Sequence, residues 1–166
     1  MSLFGNILKG AGKLALNAAS EAMAQSQKKI YQNSSQSGRK IGGKSINEWD
    51  TQWRSIGILS NIDLTPYNKY VGLYRARLGS EIVYIGRAIE WNNGGFRKRL
   101  SDYTRESNSA RTHGSGQKMY EHRHQLQIDL LLVGQSENAA KVTSVLEGLM
   151  VGKYNPTWNK VKNFNF

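Results

Sequence analysis

Cysteine is absent from this chain, proline occurs only twice in 166 residues, and acidic side chains are scarce. Without cysteine there can be no disulfide and no cysteine-ligated zinc site, which fits a reducing cytosol and equally an export route that forms no disulfides. No apolar run approaches the roughly 18 residues that a membrane-spanning helix needs. The 12 Asp and Glu stand against 23 Lys and Arg, so the net charge is +11 at pH 7. Such an excess favours an anionic partner, either nucleic acid or an anionic membrane surface.

The positive charge is concentrated in the second half of the chain. Residues 67–166 contain 15 basic and 8 acidic side chains, a net charge of +7, whereas residues 1–66 contain 8 and 4, a net charge of +4. A chain of 166 residues has room for one core of ordinary size and a small appendage. A basic protein with no special affinity is the plain alternative to an anion-binding one, and the motifs must decide between them.

Residues 1–32 are predicted to form an amphipathic helical leader, because apolar side chains recur there at three- and four-residue steps. These positions are Phe4, Ile7, Leu8, Ala11, Leu14, Ala15, Ala18 and Ala22. The helix could dock on a delivery partner, lie on a membrane surface or pack on the rest of the chain. A cleaved signal peptide ending at Ala24 is disfavoured because Asn17, Ser20 and Glu21 interrupt any apolar core. Residues 33–47, rich in Ser and Gly, predict a polar linker.

From residue 70 the pattern becomes that of a β-hairpin. Residues 70–76 and 81–85 are rich in β-branched and aromatic side chains and flank a turn at Gly79-Ser80. A helix is predicted from about Gly95 to Glu106, and a third strand over residues 127–133. The first helix and the third strand therefore follow the hairpin in order.

The remaining segments complete a small domain. Residues 142–150 show the apolar spacing of an amphipathic helix, which ends before Pro156. Residues 107–117 are expected to form a mobile loop, and residues 48–66 a lead-in element whose tryptophans enter the core. The element order β-β-α-β-α predicts an α/β (α+β) fold with a small three-stranded mixed sheet flanked by helices.

Two tyrosine tripeptides mark the predicted hairpin. Gly72-Leu73-Tyr74 lies on its first strand, and Tyr84-Ile85-Gly86 lies on its second. Arg99 and Tyr103 follow on the next predicted helix, four residues apart, so both can reach a common point. Phenols, a guanidinium group and many surrounding cations are the groups that a phosphodiesterase uses around a scissile phosphate.

A carboxylate and an amide complete the pattern further along the chain. Glu147 borders the apolar face of the last predicted helix, and Asn159 closes a Tyr-x-Pro-x-x-Asn run. With these six positions in order, residues 68–162 resemble the GIY-YIG nuclease superfamily, with leucine in place of the isoleucine of the first motif. The resemblance implies a nuclease domain over residues 48–166, with its core at about 68–162.

The resemblance also implies roles for these residues. Tyr74 would be the general base that takes a proton from water, provided that nearby cations lower its pKa. Tyr84 would orient water or phosphate, and Arg99 would clamp the scissile phosphate through a bidentate contact. Tyr103 occupies the position where family members carry a His or a Tyr. Arg97 is a rival for the arginine position.

Glu147 would hold a single Mg²⁺ or Mn²⁺, hard cations that bind carboxylate oxygens and keep most of their waters. Asn159 is the closing asparagine of the family pattern, and His113 matches a second histidine that some members carry after the first helix. The remaining cations would contact phosphates, which supplies affinity without sequence preference. They are Arg87, Arg97, Lys98, Arg105, Arg111 and Lys118.

The expected function is that of a divalent-metal-dependent DNA endonuclease acting in the cytoplasm. A nuclease behind a linker and an amphipathic leader fits a delivered antibacterial toxin or effector, exported without a cleaved signal peptide, or a phage or mobile-element nuclease. A toxin would require an acidic neutralising partner of the immunity type. The alternatives are a catalytically inactive, basic nucleic-acid-binding module on the same fold, and a membrane-active protein that works through its N-terminal helix.

Overall fold

The structure is a computed structural model that describes residues 3–105 and 114–160, with side chains from residue 14 to residue 159 of those ranges. It has the α+β class and the N-terminal helix that the sequence predicts. Its sheet differs from the predicted one, because it has four strands and every pairing is antiparallel. The strand order is β1-β4-β2-β3. The strands are β1 (Arg54–Ile58), β2 (Val71–Leu78), β3 (Glu81–Ala88) and β4 (Gln127–Gly134).

The additional strand, β1, comes from the segment that was expected to be a lead-in element. It has only five residues, and a register shift between Ser55 and Gly57 interrupts its pairing with β4. A strand this short and irregular carries no clear two-residue alternation, so local pattern could not reveal it. The prediction of a three-stranded mixed sheet was therefore wrong in both strand number and direction.

The hairpin of β2 and β3 sets the register of the predicted motifs. Gly79 adopts a positive φ of 59° in the turn, a conformation that glycine takes at little cost. Tyr74 then lies opposite Gly86, and Ala76 lies opposite Tyr84. On the other side of β2, Tyr74 pairs with Leu130 of β4. β2 is thus an inner strand of the sheet, and β3 is one of its two edges.

In the described residues, five α-helices pack around the sheet. They are α1 (Leu3–Gln36), α2 (Ile46–Asp50), α3 (Gly95–Ser101), α4 (Gly114–Glu121) and α5 (Glu137–Tyr154). Ser136 caps α5 by accepting a hydrogen bond from the Ala139 amide at 3.2 Å, and Asn155 ends the helix in the left-handed conformation. The helix predicted to reach Glu106 ends at Ser101, and α4 begins at Gly114 within the predicted loop.

The sheet buries side chains on both faces. On one face, Tyr74 and Ala76 of β2 join a cluster with Phe96, Leu100 and Trp158. The other face packs against α5 and α2. Its buried side chains are Leu73, Ile85, Leu131, Trp49, Leu146, Leu149 and Met150. Adjacent residues of β2 thus enter opposite layers, as the two-residue repeat of a strand requires.

α1 packs along α5 through small and polar side chains. Gly152 allows this approach, because a β-carbon there would overlap the backbone carbonyl of Gln27. Along the described part of α1, the partly buried positions are Ser20, Ala24, Gln27, Tyr31, Ser34 and Ser35. The predicted apolar stripe faces away from this contact, since Leu14, Ala15, Ala18 and Ala22 are all exposed. None of the helices in the described ranges is both long and apolar enough to cross a membrane.

The segment between α1 and β1 is more closely packed than its polar composition indicated. α1 continues to Gln36, four residues beyond the predicted end of the leader. Ile41 and Ile46, both within the predicted linker, are buried in the core layer beside α5. Ser45, which precedes α2, forms a capping box with Glu48 at the start of this helix. The residues predicted as a linker therefore contribute to the core.

Candidate active site

Three tyrosines from different elements meet beside the β2–β3 hairpin. The hydroxyl of Tyr74 lies 2.8 Å from the hydroxyl of Tyr103, within hydrogen-bonding distance. The ring centroid of Tyr74 lies 6.0 Å from that of Tyr84 and 6.1 Å from that of Tyr103, in tilted arrangements. Tyr103 comes from the turn that follows α3 and not from the helix itself. The fold therefore brings together the three phenols that the sequence placed in one site.

Glycines at both tripeptides make room for this cluster. A β-carbon on Gly86 would overlap the phenol of Tyr74, which lies across the facing strand at this point. A β-carbon on Gly72 would overlap the carbonyl of Leu131 and approach the Phe96 ring to 3.0 Å. Gly86 therefore lets the Tyr74 ring lie against β3, and Gly72 lets β4 and the Phe96 ring pack closely against β2.

The surroundings of Tyr74 and Tyr103 favour the protonated form of these two phenols. Tyr74 is 1% exposed, and burial, followed by the neighbouring Tyr103 and Tyr84, raises its pKa well above the ordinary value of 10.0. Burial is also the main cause that raises the pKa of Tyr103. The positive charge of Arg99 acts in the opposite direction on both groups. Ionisation of Tyr74 thus depends on the cations that face it.

Arg99 is held between the tyrosines and an acidic residue that sequence analysis did not select. Its guanidinium pairs with the carboxylate of Glu90 through Nη2, and that carboxylate also accepts a hydrogen bond from the Ile89 amide at 3.0 Å. The Nε of Arg99 is buried and makes no hydrogen bond within the described residues. The Arg99 side chain as a whole is 37% exposed, so its guanidinium group can still donate to a phosphate oxygen.

Glu147 lies on the other side of the edge strand from the tyrosine cluster. It pairs with Arg87 of β3 at 2.9 Å between Oε2 and Nη1. Burial raises the pKa of Glu147 above its ordinary value of 4.5, while Arg87 and then Arg99 act to lower it. Because Arg87 alternates with Tyr84 and Gly86 along β3, its side chain leaves the opposite face of the sheet. The candidate site therefore spans both sides of β3, and Arg99 acts on the groups of each side.

The donor set fits a hard cation that keeps most of its waters. The carboxylate of Glu147 contacts Arg87 through Oε2, and its side chain is 27% exposed, so a metal can reach it. The described ranges contain no group of three or more His, Asp and Glu side chains close enough to bind one metal ion together. Within these ranges, a metal at Glu147 would therefore take its other ligands from water and substrate. A single carboxylate with waters and substrate oxygens is a usual environment for Mg²⁺.

Asn159 ties a short 3₁₀ turn (Thr157–Lys160) to the edge of the sheet. Its Oδ1 accepts from the Ile85 amide at 2.9 Å, and its Nδ2 donates to the Ile85 carbonyl at 2.7 Å. Ile85 is the central residue of the second tripeptide. Both polar atoms of the Asn159 side chain thus pair with backbone, and its role is to position the strand that carries Tyr84.

The predicted phosphate-binding cations occupy several places. Arg97, Lys98 and Arg105 line a cleft on a different side of α3 from Arg99. Lys118 lies on α4 with its ammonium 5.8 Å from the ring centroid of Trp158. Arg87 is engaged by Glu147, as described above. Of the two arginines that competed for the family position, Arg99 is the one beside the tyrosines. His113 and Arg111 lie outside the described residues.

Comparison with known protein families, characterised proteins and solved structures gave no match. The candidate site therefore stands on its own geometry. Sequence analysis missed Glu90, because its contact with Arg99 crosses a loop of irregular backbone that no periodic pattern predicts. It also missed Trp91 and Lys69, which share the cleft with Arg97 and Lys98. An aromatic residue next to a turn and beside a basic helix is the one signal that could have identified Trp91.

Proposed function

We propose that this protein is a divalent-metal-dependent DNA endonuclease that hydrolyses phosphodiester bonds, with a fold like that of the GIY-YIG nucleases. The observation that carries the proposal is the phenol cluster, in which the hydroxyls of Tyr74 and Tyr103 lie 2.8 Å apart, close to the positive charge of Arg99. The buried Nε of Arg99 has no hydrogen-bond partner among the described residues. A binding surface alone has no need for buried phenols, a buried unpaired guanidinium N–H and a half-buried carboxylate in one place.

Each residue has a task that its environment allows. Arg99, whose side chain is 37% exposed, donates to a non-bridging phosphate oxygen through its guanidinium group. Tyr74 ionises when the charges around it favour the phenolate, and the Tyr103 hydroxyl, 2.8 Å away, donates a hydrogen bond to the phenolate oxygen. The Tyr74 phenolate then accepts a proton from the attacking water and becomes a neutral phenol. Tyr84 forms the neighbouring wall and orients water or phosphate. Asn159 holds the strand of Tyr84 through Ile85.

Glu147 would hold the metal, Mg²⁺ or Mn²⁺, through its carboxylate, alongside Arg87 or in its place. The ion, when bound, supplies positive charge to the phosphoryl and leaving oxygens and lowers the pKa of nearby groups. Arg87 then has to share Glu147 with the ion or turn toward a phosphate, which its 41% side-chain exposure permits. One such site per chain cuts one strand at a time.

Cleavage of supercoiled plasmid tests the proposal. Purified protein is incubated with plasmid in Mg²⁺, Mn²⁺ or EDTA, beside Glu147→Gln and Glu137→Gln variants. Glu137 is a matched control because it lies on the same helix, is 66% exposed and pairs only with Lys141 in the described residues. We expect metal-dependent nicking by the wild type and by Glu137→Gln, and none by Glu147→Gln. Equal plasmid nicking by the wild type and both variants, with the same result in Mg²⁺, Mn²⁺ and EDTA, would contradict the proposal.

A catalytically inactive nucleic-acid-binding module is the second candidate, and two observations favour it. The Arg87–Glu147 pair occupies one oxygen of the proposed metal ligand. Burial also raises the pKa of Tyr74, which opposes its use as a base. DNA binding in EDTA by the wild type and Glu147→Gln alike, with no cleavage in either metal, would establish this second function.

The biological setting that fits best is a delivered antibacterial toxin or effector, or a phage or mobile-element nuclease, acting on DNA in the cytoplasm. A toxin of this charge would be neutralised by an acidic immunity-type protein that covers the basic surface. The exposed stripe of α1 would be available for a delivery partner or a membrane surface. Expression in a susceptible bacterium that causes no DNA damage would exclude the toxin setting.

A further inference from the structure

A basic cleft of about 830 Å³ lies beside α3, on the side away from the tyrosine cluster. Trp91 and the asparagines at 92 and 93 form one wall, and Arg97, Lys98 and Ser101 of α3 form another. Lys69 and Arg105 extend the positive charge to the rim. Among the described residues, no acidic side chain lines this cleft, so its field attracts an anion.

Trp91 is unusual among the tryptophans of this protein. It is 39% exposed, whereas Trp49 and Trp158 are buried at 3% and 8%. Nearby, Lys69 and Lys98 make no ion pair within the described part of the chain, and Arg105 makes only long contacts there, each of 3.4 Å, with the Asp102 carboxylate and the Ser101 carbonyl. An exposed aromatic ring among free cations is the arrangement by which proteins stack a base while holding its phosphates.

The loop that carries Trp91 is fixed to the active site. The backbone carbonyl of Glu90 accepts hydrogen bonds from the amides of Asn93 and Gly95, both at 3.0 Å. The carboxylate of the same Glu90 pairs with Arg99. Because Trp91 directly follows Glu90, one residue holds both the loop of the cleft and the candidate phosphate clamp in place.

We propose that this cleft binds an unpaired stretch of DNA next to the cleaved phosphate, with one base stacked on Trp91. The cleft and Arg99 lie on opposite sides of α3, a helix about 10 Å across, so a strand leaving the active site would reach Trp91 within a few nucleotides. Duplex DNA hides the faces of its bases in the stack, and only an unpaired base can offer one to Trp91. The inference rests on the proposed function for the nature of the ligand, and it names the form of DNA that the site prefers.

Binding measurements in EDTA test the inference without any cleavage. A fluorescein-labelled thymidine single strand of about 12 nucleotides and a duplex of equal length are titrated by fluorescence anisotropy at each of several salt concentrations. Trp91→Ala should weaken single-strand binding by about 5- to 150-fold and change duplex binding less than about two-fold. Trp91→Phe should keep most of the single-strand affinity, because it keeps a stacking ring. Lys98→Ala should weaken both ligands and reduce the salt dependence of binding, which Lys141→Ala should not.

Met23→Ala is the control for loss of an exposed apolar side chain, since Met23 is 50% exposed on α1. The inference is overturned if Trp91→Ala binds the single strand as the wild type does, or if it loses single-strand and duplex affinity equally. Failure of the inference and failure of the nuclease proposal are distinguishable. A protein that never cuts plasmid can still show the Trp91 effect, and one that cuts plasmid can lack it.

Discussion

Gly86 lies directly opposite Tyr74 in the hairpin, and the phenol of Tyr74 occupies the space that a β-carbon on Gly86 would fill. Gly86→Ala should therefore push the ring away from Tyr103, at a cost of about 1–3 kcal/mol in unfolding free energy. A displacement of this kind should lower the rate of plasmid nicking by about 100-fold.

Gly148→Ala is the matched control for this substitution. A β-carbon at Gly148, inside α5, would meet no atom within 4 Å. Alanine should therefore stabilise the helix by about 1 kcal/mol and leave cleavage unchanged. Chemical unfolding and single-turnover cleavage of both variants give the two readouts. Wild-type cleavage by Gly86→Ala would show that the Tyr74 position is not needed.

The raised pKa of Tyr74 predicts an alkaline dependence of cleavage. Below its pKa the phenolate fraction of a tyrosine increases tenfold per pH unit, so a rate that needs this phenolate rises with pH through the neutral range. The single-turnover rate should thus increase with a slope near +1 on a logarithmic plot, and Tyr74→Phe should lose about 100-fold or more. A flat profile would mean that Tyr74 acts as a neutral hydrogen-bonding group.

Tyr154→Phe provides the control for the pH profile. Burial, with help from its hydrogen bond to Asp50, raises the pKa of Tyr154 to about 12. Tyr154 lies in the core layer on the other side of the sheet from Tyr74. Loss of the Tyr154 hydroxyl should leave the slope of cleavage rate against pH unchanged, even if the free energy of unfolding falls.

Glu147 should reduce stability at neutral pH. Burial raises its pKa above 4.5, so the folded protein binds this proton more tightly than the unfolded chain does. The free energy of unfolding then falls as pH rises from about the unfolded pKa through the folded one. Glu147→Gln should remove that fall and raise the melting temperature at pH 7 but not below pH 4. Glu137→Gln should show no such pH dependence, and a Glu147→Gln variant that melts lower at pH 7 would contradict the argument.

Asn159 should contribute mainly to the free energy of unfolding and only indirectly to cleavage. Asn159→Ala removes two hydrogen bonds to the Ile85 backbone and should cost about 2 kcal/mol. Asn159→Asp keeps an acceptor for the Ile85 amide but has no donor for the Ile85 carbonyl. Because its carboxylate would then repel that carbonyl oxygen, Asn159→Asp should lose more unfolding free energy than Asn159→Ala does. Urea unfolding measures both, and cleavage at saturating metal shows whether activity falls only in proportion to the folded fraction. Loss of metal affinity in a fully folded Asn159→Ala would instead make Asn159 a ligand.

Asp129 should be a large contributor to stability, away from the candidate site. It is 1% exposed and bonds Arg75 Nε at 2.6 Å and Arg77 Nε at 2.9 Å. Burial alone would raise its pKa, but the two guanidinium groups lower it below 3.8, so this stabilisation is present at neutral pH and is lost in acid. Asp129→Asn should cost about 3 kcal/mol at pH 7, measured by urea unfolding. Glu137→Gln breaks an exposed pair and should cost well under 1 kcal/mol.

Local pattern was enough to predict the hairpin, α5 and the tyrosine tripeptides. Residues 70–76 are rich in β-branched and aromatic side chains and precede a glycine turn, and residues 142–150 repeat at helical spacing, so nearby residues alone specify these elements. The same reasoning missed β1, which is short and has a register shift, and α4, whose start is rich in Ser and Gly. Such segments acquire their structure from the surface on which they pack.

The sequence by itself determined which chemical groups are available to the candidate site. They are the phenols of Tyr74, Tyr84 and Tyr103, the guanidinium of Arg99 and the carboxylate of Glu147, within a strongly basic chain. Only the tertiary structure decided that Glu90 holds Arg99, that Arg87 pairs with Glu147, and that Trp91 faces a cleft and not the core. It also decided that α1 packs through Ser20, Ala24 and Gln27 and leaves its apolar stripe exposed. The reason is physical: periodicity reports which residues share a face of one element, whereas the partner of that face is set by packing between elements distant in the chain.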